Sequence, residues 1–259
     1  MKSKVSIILV AGFVASLFSL TYLAQAEEQK PQLLVVWEDI VHPSKAMGYE
    51  AAMKMWVDFN TKYKFPRPIT VYRTTDYHYY TLMPIEKLAD IDDLEKYFIE
   101  LGEAAGKDVE EIQKAFAGTT ESTTFGTVSL RTDLSYAPEN PRVKTEDVNF
   151  VWWNYYYIKS GKEKEAEKIA KEWQALWKSN GITDSFQVYQ PMLWSDIPAM
   201  VAAGGALSAA DYYSHMEKNV EKMGDEYLAL TKKTMDACRR FEQRTGMILQ
   251  DLSYIPPEK

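Results

Sequence analysis

Asp133-Leu134-Ser135-Tyr136-Ala137-Pro138 recurs as Asp251-Leu252-Ser253-Tyr254-Ile255-Pro256, at an offset of 118 residues. The same offset pairs Gly106 with Gly224, Asp93 with Asp211, Glu103 with Glu221 and Lys114 with Lys232. It also sets Leu33-Leu34-Val35-Val36-Trp37 against Val151-Trp152-Trp153-Asn154-Tyr155. A frame held across separate regions marks an internal duplication, and a repeat decides the architecture before any local signal does. Two modules follow, 30–139 and 148–258, joined by a polar, proline-containing linker at 140–147.

Each module carries the same order of elements. In the first, the apolar run Gln32–Glu38 reads as a strand. A helix begins at Pro43-Ser44, with Ala52, Met55, Trp56, Phe59 and Tyr63 on one face at helical spacing, and Pro66 and Pro68 end it. Ile69–Thr75 and Tyr77–Met83 read as strands. Asp90 is placed to cap a helix striped by Ile91, Leu94, Phe98, Leu101, Ala105, Val109, Ile112 and Phe116, which Gly106 divides. The Thr-rich stretch Gly118–Thr124 reads as a loop and Gly126–Tyr136 as the last strand. The second module repeats this: strand Asn149–Ile158, a helix closed by Gly181, strands at Ser185–Gln190 and near Met192–Val201, a long helix striped from Tyr212 to Cys238, and a closing strand Met247–Tyr254.

Strand, helix, strand, strand, helix, strand is the split βαβ, ferredoxin-like unit, with both helices on one face of a four-stranded antiparallel sheet. One-sided burial predicts alternating strands. Leu33–Trp37 is apolar throughout, however, and Val151–Tyr157 is apolar except at Asn154. These strands must be buried on both faces, and the simplest cover is the sheet of the other module. The expected fold is therefore α+β, with two ferredoxin-like repeats packed sheet to sheet as a barrel within one chain. In element order and repeat length the chain resembles the dimeric α+β barrel superfamily, as a fused tandem pseudo-dimer. That superfamily includes antibiotic-monooxygenase-like, EthD-like and NIPSNAP-like domains. The resemblance covers nearly all of 30–258. It implies haem-degrading, chlorite-dismuting or cofactor-free oxygenating relatives alongside members with no activity, so fold alone carries little functional weight. No motif of a particular family is matched, and the glycine-rich motif of dye-decolourising peroxidases is not apparent.

Residues 1–26 read as an export address. Lys2 and Lys4 precede an apolar run from Val5 to Leu23, and Ala24-Gln25-Ala26 is a small-x-small cleavage signal. The expected location is periplasmic or secreted, with no membrane span after cleavage behind Ala26. A net charge of −7 argues against a nucleic-acid partner. A single cysteine, Cys238, excludes an internal disulfide and leaves a free thiol or an intermolecular link. The expected assembly is a monomeric pseudo-dimer or a higher homo-oligomer.

The aromatic content, 13% with seven Trp and 17 Tyr, clusters in the strands and suits a pocket that stacks a planar ligand. Strand parity turns Val71 and Val188 to the helices and Thr70, Tyr72, Thr74, Gln187 and Tyr189 to the interior. The same reasoning separates Arg131 and Asp133 from Leu134 and Tyr136. His78, in an aromatic strand, is a candidate axial haem ligand or general base, since imidazole titrates near neutrality. His215 is a candidate ligand or a half-buried polar tip, and His42 sits in a strand-to-helix turn. The three histidines show no metal-ligand spacing. The repeated Asp-Leu-Ser-Tyr motif reads as a strand-end turn in which Asp or Ser bonds backbone amides. The expected ligand site is Tyr72, His78, Tyr80, Arg131, Tyr189, Trp194 and His215. The expected function is binding of a small apolar or aromatic ligand between the two sheets. A haem-dependent or cofactor-free oxygenating enzyme and a non-enzymatic interaction module stand as alternatives.

Overall fold

The computed structural model describes residues 32–257. The export segment expected over 1–26 lies outside the described residues. Module one runs β1 (Leu33–Val41), α1 (Ala46–Lys62), β2 (Thr70–Thr74), β3 (His78–Ile85), α2 (Asp90–Ala105), α3 (Lys107–Phe116) and β4 (Thr120–Leu130). Module two runs β5 (Phe150–Ile158), α4 (Glu163–Ser179), β6 (Gln187–Leu193), β7 (Ala199–Ala206), α5 (Ala209–Ala237) and β8 (Cys238–Ile248). The eight strands close into one antiparallel barrel in the order β1-β3-β2-β8-β5-β7-β6-β4. Each module supplies four neighbouring strands, its helices pack outside, and the fold is the α+β barrel read from the duplication. Leu33 to Val36 are all buried. Leu33 and Val35 join the core beneath the helices, whereas Leu34 and Val36 join Tyr72, Tyr80, Tyr189 and Trp194 inside the barrel.

The repeated motif is the clasp. Ser135 Oγ donates to the Arg131 carbonyl (2.8 Å) and accepts from the Val188 amide (2.9 Å), while Tyr136 pairs its backbone with Phe186 and donates its hydroxyl to the Ile182 carbonyl (2.9 Å). Ser253 repeats this with the Leu249 carbonyl (2.9 Å) and the Val71 amide (3.0 Å), and Tyr254 with Ile69 and the Phe65 carbonyl (2.9 Å). The two serine-to-carbonyl bonds stay within their own turn, and every other partner belongs to the other module. Leu134 and Tyr136 therefore sit in the core of module two, and Leu252 and Tyr254 in that of module one. Serine, not aspartate, makes the turn's backbone bonds.

Several boundaries differ from the sequence reading. The stretch expected as a loop at Gly118–Thr124 is largely strand, because its β-branched threonines suit a pleat even where their side chains are exposed. The closing strand of module two is Cys238–Ile248, earlier than expected. Its charged residues break the apolar pattern because several point into a polar layer of the barrel. Asp90 is the first helical residue rather than the cap, and its carboxylate accepts from the Glu86 amide at 2.9 Å. Met55 is 36% exposed, and the inward face of α1 includes Tyr49 and Met53 instead. Gly106 does divide its helix, and Gly224 kinks α5; both have positive φ (38° and 53°), a conformation costly for any residue with a Cβ.

The offset also changes within the module. Leu33 pairs with Ser129 in module one, and Phe150 with Met247 in module two, so Leu33 corresponds to Phe150, not Val151. A one-residue change exchanges the two faces of a strand. Interior comparison of the modules depends on this register.

Because each leucine of the clasp lies in its neighbour's core, Leu134→Ala and Leu252→Ala should each cost about 2–5 kcal/mol and lower one cooperative urea transition. Two transitions, one of them unchanged, would show that the modules stand independently.

Candidate functional site

Two hollows flank the sheet of module two. The smaller, about 220 Å3, is the barrel interior. Its wall includes Val36, Tyr72, Tyr80, Trp153, Tyr155, Tyr189, Val201 and Trp194, and the segment ahead of β5 contributes Val143, Thr145 and Val148. Parity thus places Tyr72 and Tyr189 inside, as the sequence predicts. Trp153 lies between Tyr72 (5.7 Å, edge-on) and Tyr80 (5.8 Å). Gly126 accommodates Trp194, whose ring lies 2.2 Å from where a Cβ would stand.

A charged network spans the two modules beside this chamber. Glu38 Oε1 accepts from Tyr80 Oη (2.7 Å) and Arg244 Nη1 (2.6 Å) and lies 2.7 Å from His78 Nδ1. Arg244 also bonds the Tyr80 hydroxyl, and its Nη2 is 3.4 Å from Glu242. Burial pushes the Glu38 carboxyl up, but hydrogen bonds from His78, Tyr80 and Arg244, with the charge of Arg244, outweigh it and hold the group at about 2. Burial drives the Tyr80 phenol well above its ordinary value, with Tyr155 and Glu38 adding to the shift.

The larger hollow, about 340 Å3, lies between the sheet of module two and helices α4 and α5. Trp152, Tyr156, Trp173, Trp177, Tyr212, Tyr227 and Phe241 give it aromatic walls. Its floor holds a polar pair, Gln243 Nε2 donating to Asn154 Oδ1 at 2.9 Å. At one end Arg142 binds both Asp211 (2.7 Å) and Asp184 (2.7 Å).

Comparison of the modules explains this hollow. The helices α1 and α4 have 17 residues each, which aligns Tyr49 with Ala166 and Met53 with Ala170. The strand pairings align Tyr79 with Met200, and the shared glycine kink aligns Phe116 with Thr234. In module one the Tyr49 ring occupies the space, 4.5 Å from Tyr79 and 5.4 Å from Phe116, and Tyr49 is fully buried. Ala166, Ala170, Met200 and Thr234 all line the hollow of module two.

The expected site residues therefore divide. Tyr72, Tyr80, Tyr189 and Trp194 meet in the barrel chamber, and His78 stands behind Tyr80 in the charged network. Arg131 does not enter the chamber. It lies beyond the end of β4, where strand parity no longer applies, and binds Asp133 (2.8 Å), Glu167 (2.8 Å) and Gln190 (2.8 Å). His215 lines the other hollow, its Nδ1 3.0 Å from the Asp211 carbonyl oxygen. Cys238 lines that hollow too and is buried, which blocks an intermolecular link. Burial pushes its thiol up, so it sits there as a small apolar group. Glu38, Arg244 and the Asn154–Gln243 pair were missed. The signal for Glu38 was present: a lone carboxylate on the inward parity of an otherwise apolar strand.

Neither hollow offers a haem propionate a free cation among the described residues. The chamber is lined by no cation, and the one arginine at the larger hollow, Arg142, is already shared by two aspartates, which leaves nothing to receive two propionates. His78 lines neither hollow.

No protein-family model matches the chain, and no curated protein matches it. Solved structures do. An anthrone oxidase-like protein superposes with a TM-score of 0.60 at 11% identity, covering 86% of this chain and 93% of its own. A Fusobacterium nucleatum protein described as "putative monooxygenase" gives 0.52 at 12%, covering 85% and 93%. A Lactobacillus acidophilus protein of the same description gives 0.51 at 8%, covering 88% and 97%. At these identities the likeness shows the fold, which is the dimeric α+β barrel in tandem form.

A carboxyl lowered by folding stabilises the folded state above its ordinary value of 4.5, and that contribution fades as pH falls toward 2. The shift corresponds to about 3 kcal/mol. Glu38→Gln should lower stability by about that amount at pH 6, measured by urea unfolding, and the difference from wild type should shrink steadily between pH 4.5 and pH 2. A difference that stays constant with pH would show that Glu38 is not ionised in the fold.

Proposed function

We propose that the protein is exported and binds a small, flat aromatic molecule. The hollow of module two is the principal site, and one observation carries this reading: equivalent positions hold Tyr49 and Met53 in the filled module but Ala166 and Ala170 in the hollow one. A duplicated scaffold supplies its own control. The same backbone packs tightly around large side chains in one copy, so the space in the other follows from which side chains stand there. Aromatic walls stack a ring, and the Asn154–Gln243 floor and His215 offer hydrogen bonds to its substituents. A cavity of about 340 Å3 suits a multi-ring ligand, given that ~150 Å3 of apolar space holds benzene. The structural likeness to an anthrone oxidase-like protein makes anthrone a natural first probe.

The chamber between the sheets, the site the sequence pointed to, is a second binding place on this reading. Its support is the gathering of Tyr72, Tyr80, Trp153, Tyr189 and Trp194 around an open volume. An open interior supports binding over a purely packing role of these aromatics. Export rests on the Lys2/Lys4 start, the apolar run and the Ala24-Gln25-Ala26 signal. No helix among the described residues is long and apolar enough to cross a membrane.

The paired substitution Ala166→Tyr/Ala170→Met restores the side chains that fill module one. It should lower affinity for anthrone at least tenfold, read by quenching of Trp152, Trp173 and Trp177 fluorescence, without lowering the thermal transition. Unchanged affinity in a folded variant would place the ligand elsewhere.

A further inference from the structure

We infer that the barrel chamber selects a neutral one- or two-ring aromatic bearing a hydrogen-bonding oxygen, which it anchors on the phenols of Tyr72 and Tyr155. This inference rests on the reading of the chamber as a binding place and names what it takes. Four observations lead to it.

The size is right for a small ring: about 220 Å3, compared with ~150 Å3 for a cavity that holds benzene. The walls are aromatic, and Trp153, held between Tyr72 and Tyr80, offers a face on which a ring can stack.

The polar groups are neutral and under-used. The Tyr72 hydroxyl meets no hydrogen-bonding partner among the described residues and the Tyr155 hydroxyl meets only that of Tyr80, while burial pushes both phenols up and so keeps them protonated. Both residues line the chamber, where a ligand oxygen can take up the spare hydrogen-bonding capacity of their hydroxyls. Tyr189, by contrast, is already satisfied by Gln187 at 2.5 Å.

The charges are spent. Arg244, which stands beside the chamber at Tyr80, is engaged by Glu38, Tyr80 and Glu242, and no lysine or arginine lines the wall. A carboxylate or phosphate ligand would lose its hydration with no free cation to receive it. A neutral phenol or quinone-like oxygen carries no such penalty.

The arrangement is also peculiar to one pairing of modules. Glu38, His78 and Tyr80 in module one correspond to Tyr155, Ala199 and Val201 in module two. The network that fixes Tyr80 therefore meets Tyr155, whose counterpart in module one is Glu38 itself. Pseudo-symmetry would not produce this by itself.

The probes are 4-fluorophenol and 4-fluorotoluene, which share a shape and differ in the oxygen. They are followed by fluorine NMR in the Ala166→Tyr/Ala170→Met background, where the larger hollow is filled. The phenol should bind at least tenfold more tightly than the toluene. Tyr72→Phe/Tyr155→Phe should abolish that preference while leaving toluene affinity within about twofold. Ala203→Phe, which projects a ring into the chamber, should remove both ligands, and nuclear Overhauser contacts from the bound phenol to Trp153 locate the site without a bulky substitution. Equal affinity for the two probes, with contacts to Trp153 present, would overturn the oxygen anchor and leave the chamber reading standing. No binding of either probe, or binding without Trp153 contacts and indifferent to Ala203→Phe, would overturn the chamber reading itself.

Discussion

The reciprocal clasp of the Leu-Ser-Tyr motifs is the constraint on which the barrel depends. Closing eight strands requires two seams between modules, and both are short. β2 meets β8 over Tyr72–Thr74 and Gly246–Ile248, and β4 meets β6 over four pairs with a register shift. At the first seam the backbones come so close that a Cβ on Gly246 would stand 2.1 Å from the Arg73 carbonyl oxygen, so glycine is required there. The motifs extend both seams. Each serine hydroxyl bonds its own chain's turn and the amide of a partner strand, while the leucine and tyrosine beside it complete a core that the partner module cannot close alone. Hydrophobic burial and backbone pairing thus act together at the same two places.

That scaffold is conservative in both copies, and the interiors are not. Gly106 and Gly224, Ser135 and Ser253, and Tyr136 and Tyr254 perform identical tasks. The side chains facing the helices differ in bulk at Tyr49/Ala166, Met53/Ala170 and Phe116/Thr234. Duplication makes this division physically affordable. Module one keeps a filled aromatic core around Tyr49, Tyr79 and Phe116, and through the clasp it supports a neighbour with a hollow in its own core.

The duplication, the element order and the double burial of Leu33–Val36 were all legible in the sequence, because repeats and strand periodicity are local signals. Parity placed Tyr72 and Tyr189 inside the barrel for the same reason. It failed for Arg131, which stands one residue past the strand end where the chain turns. It was not applied to Arg244, since the run Arg239–Arg244 does not look like a strand until its charges are seen to enter a polar interior. The hollow of module two was invisible for a different reason. Aligning Tyr49 with Ala166 requires an offset of 117, one less than the offset that the Asp-Leu-Ser-Tyr motif announces, and only the strand pairing reveals the change.

The Glu38–Arg244 pair bears on whether the barrel interior is built for packing or for binding. A buried ion pair is weak evidence of a stability role, since desolvation of both groups offsets much of their attraction. Module two shows that this fold accepts an uncharged alternative at the corresponding places, with Tyr155, Ala199 and Val201 where module one has Glu38, His78 and Tyr80, and module one has Gly126 where module two has Arg244. The geometry alone therefore does not call for the charges. What they do is fix Tyr80 as a donor to Glu38, with its oxygen accepting from Arg244, which leaves the Tyr80 hydroxyl little further capacity. Tyr155 and Tyr72 are then the hydroxyls with capacity to spare. Orienting one phenol so that others keep capacity is what the proposed binding chamber requires, and it is a poor way to fill a dry core.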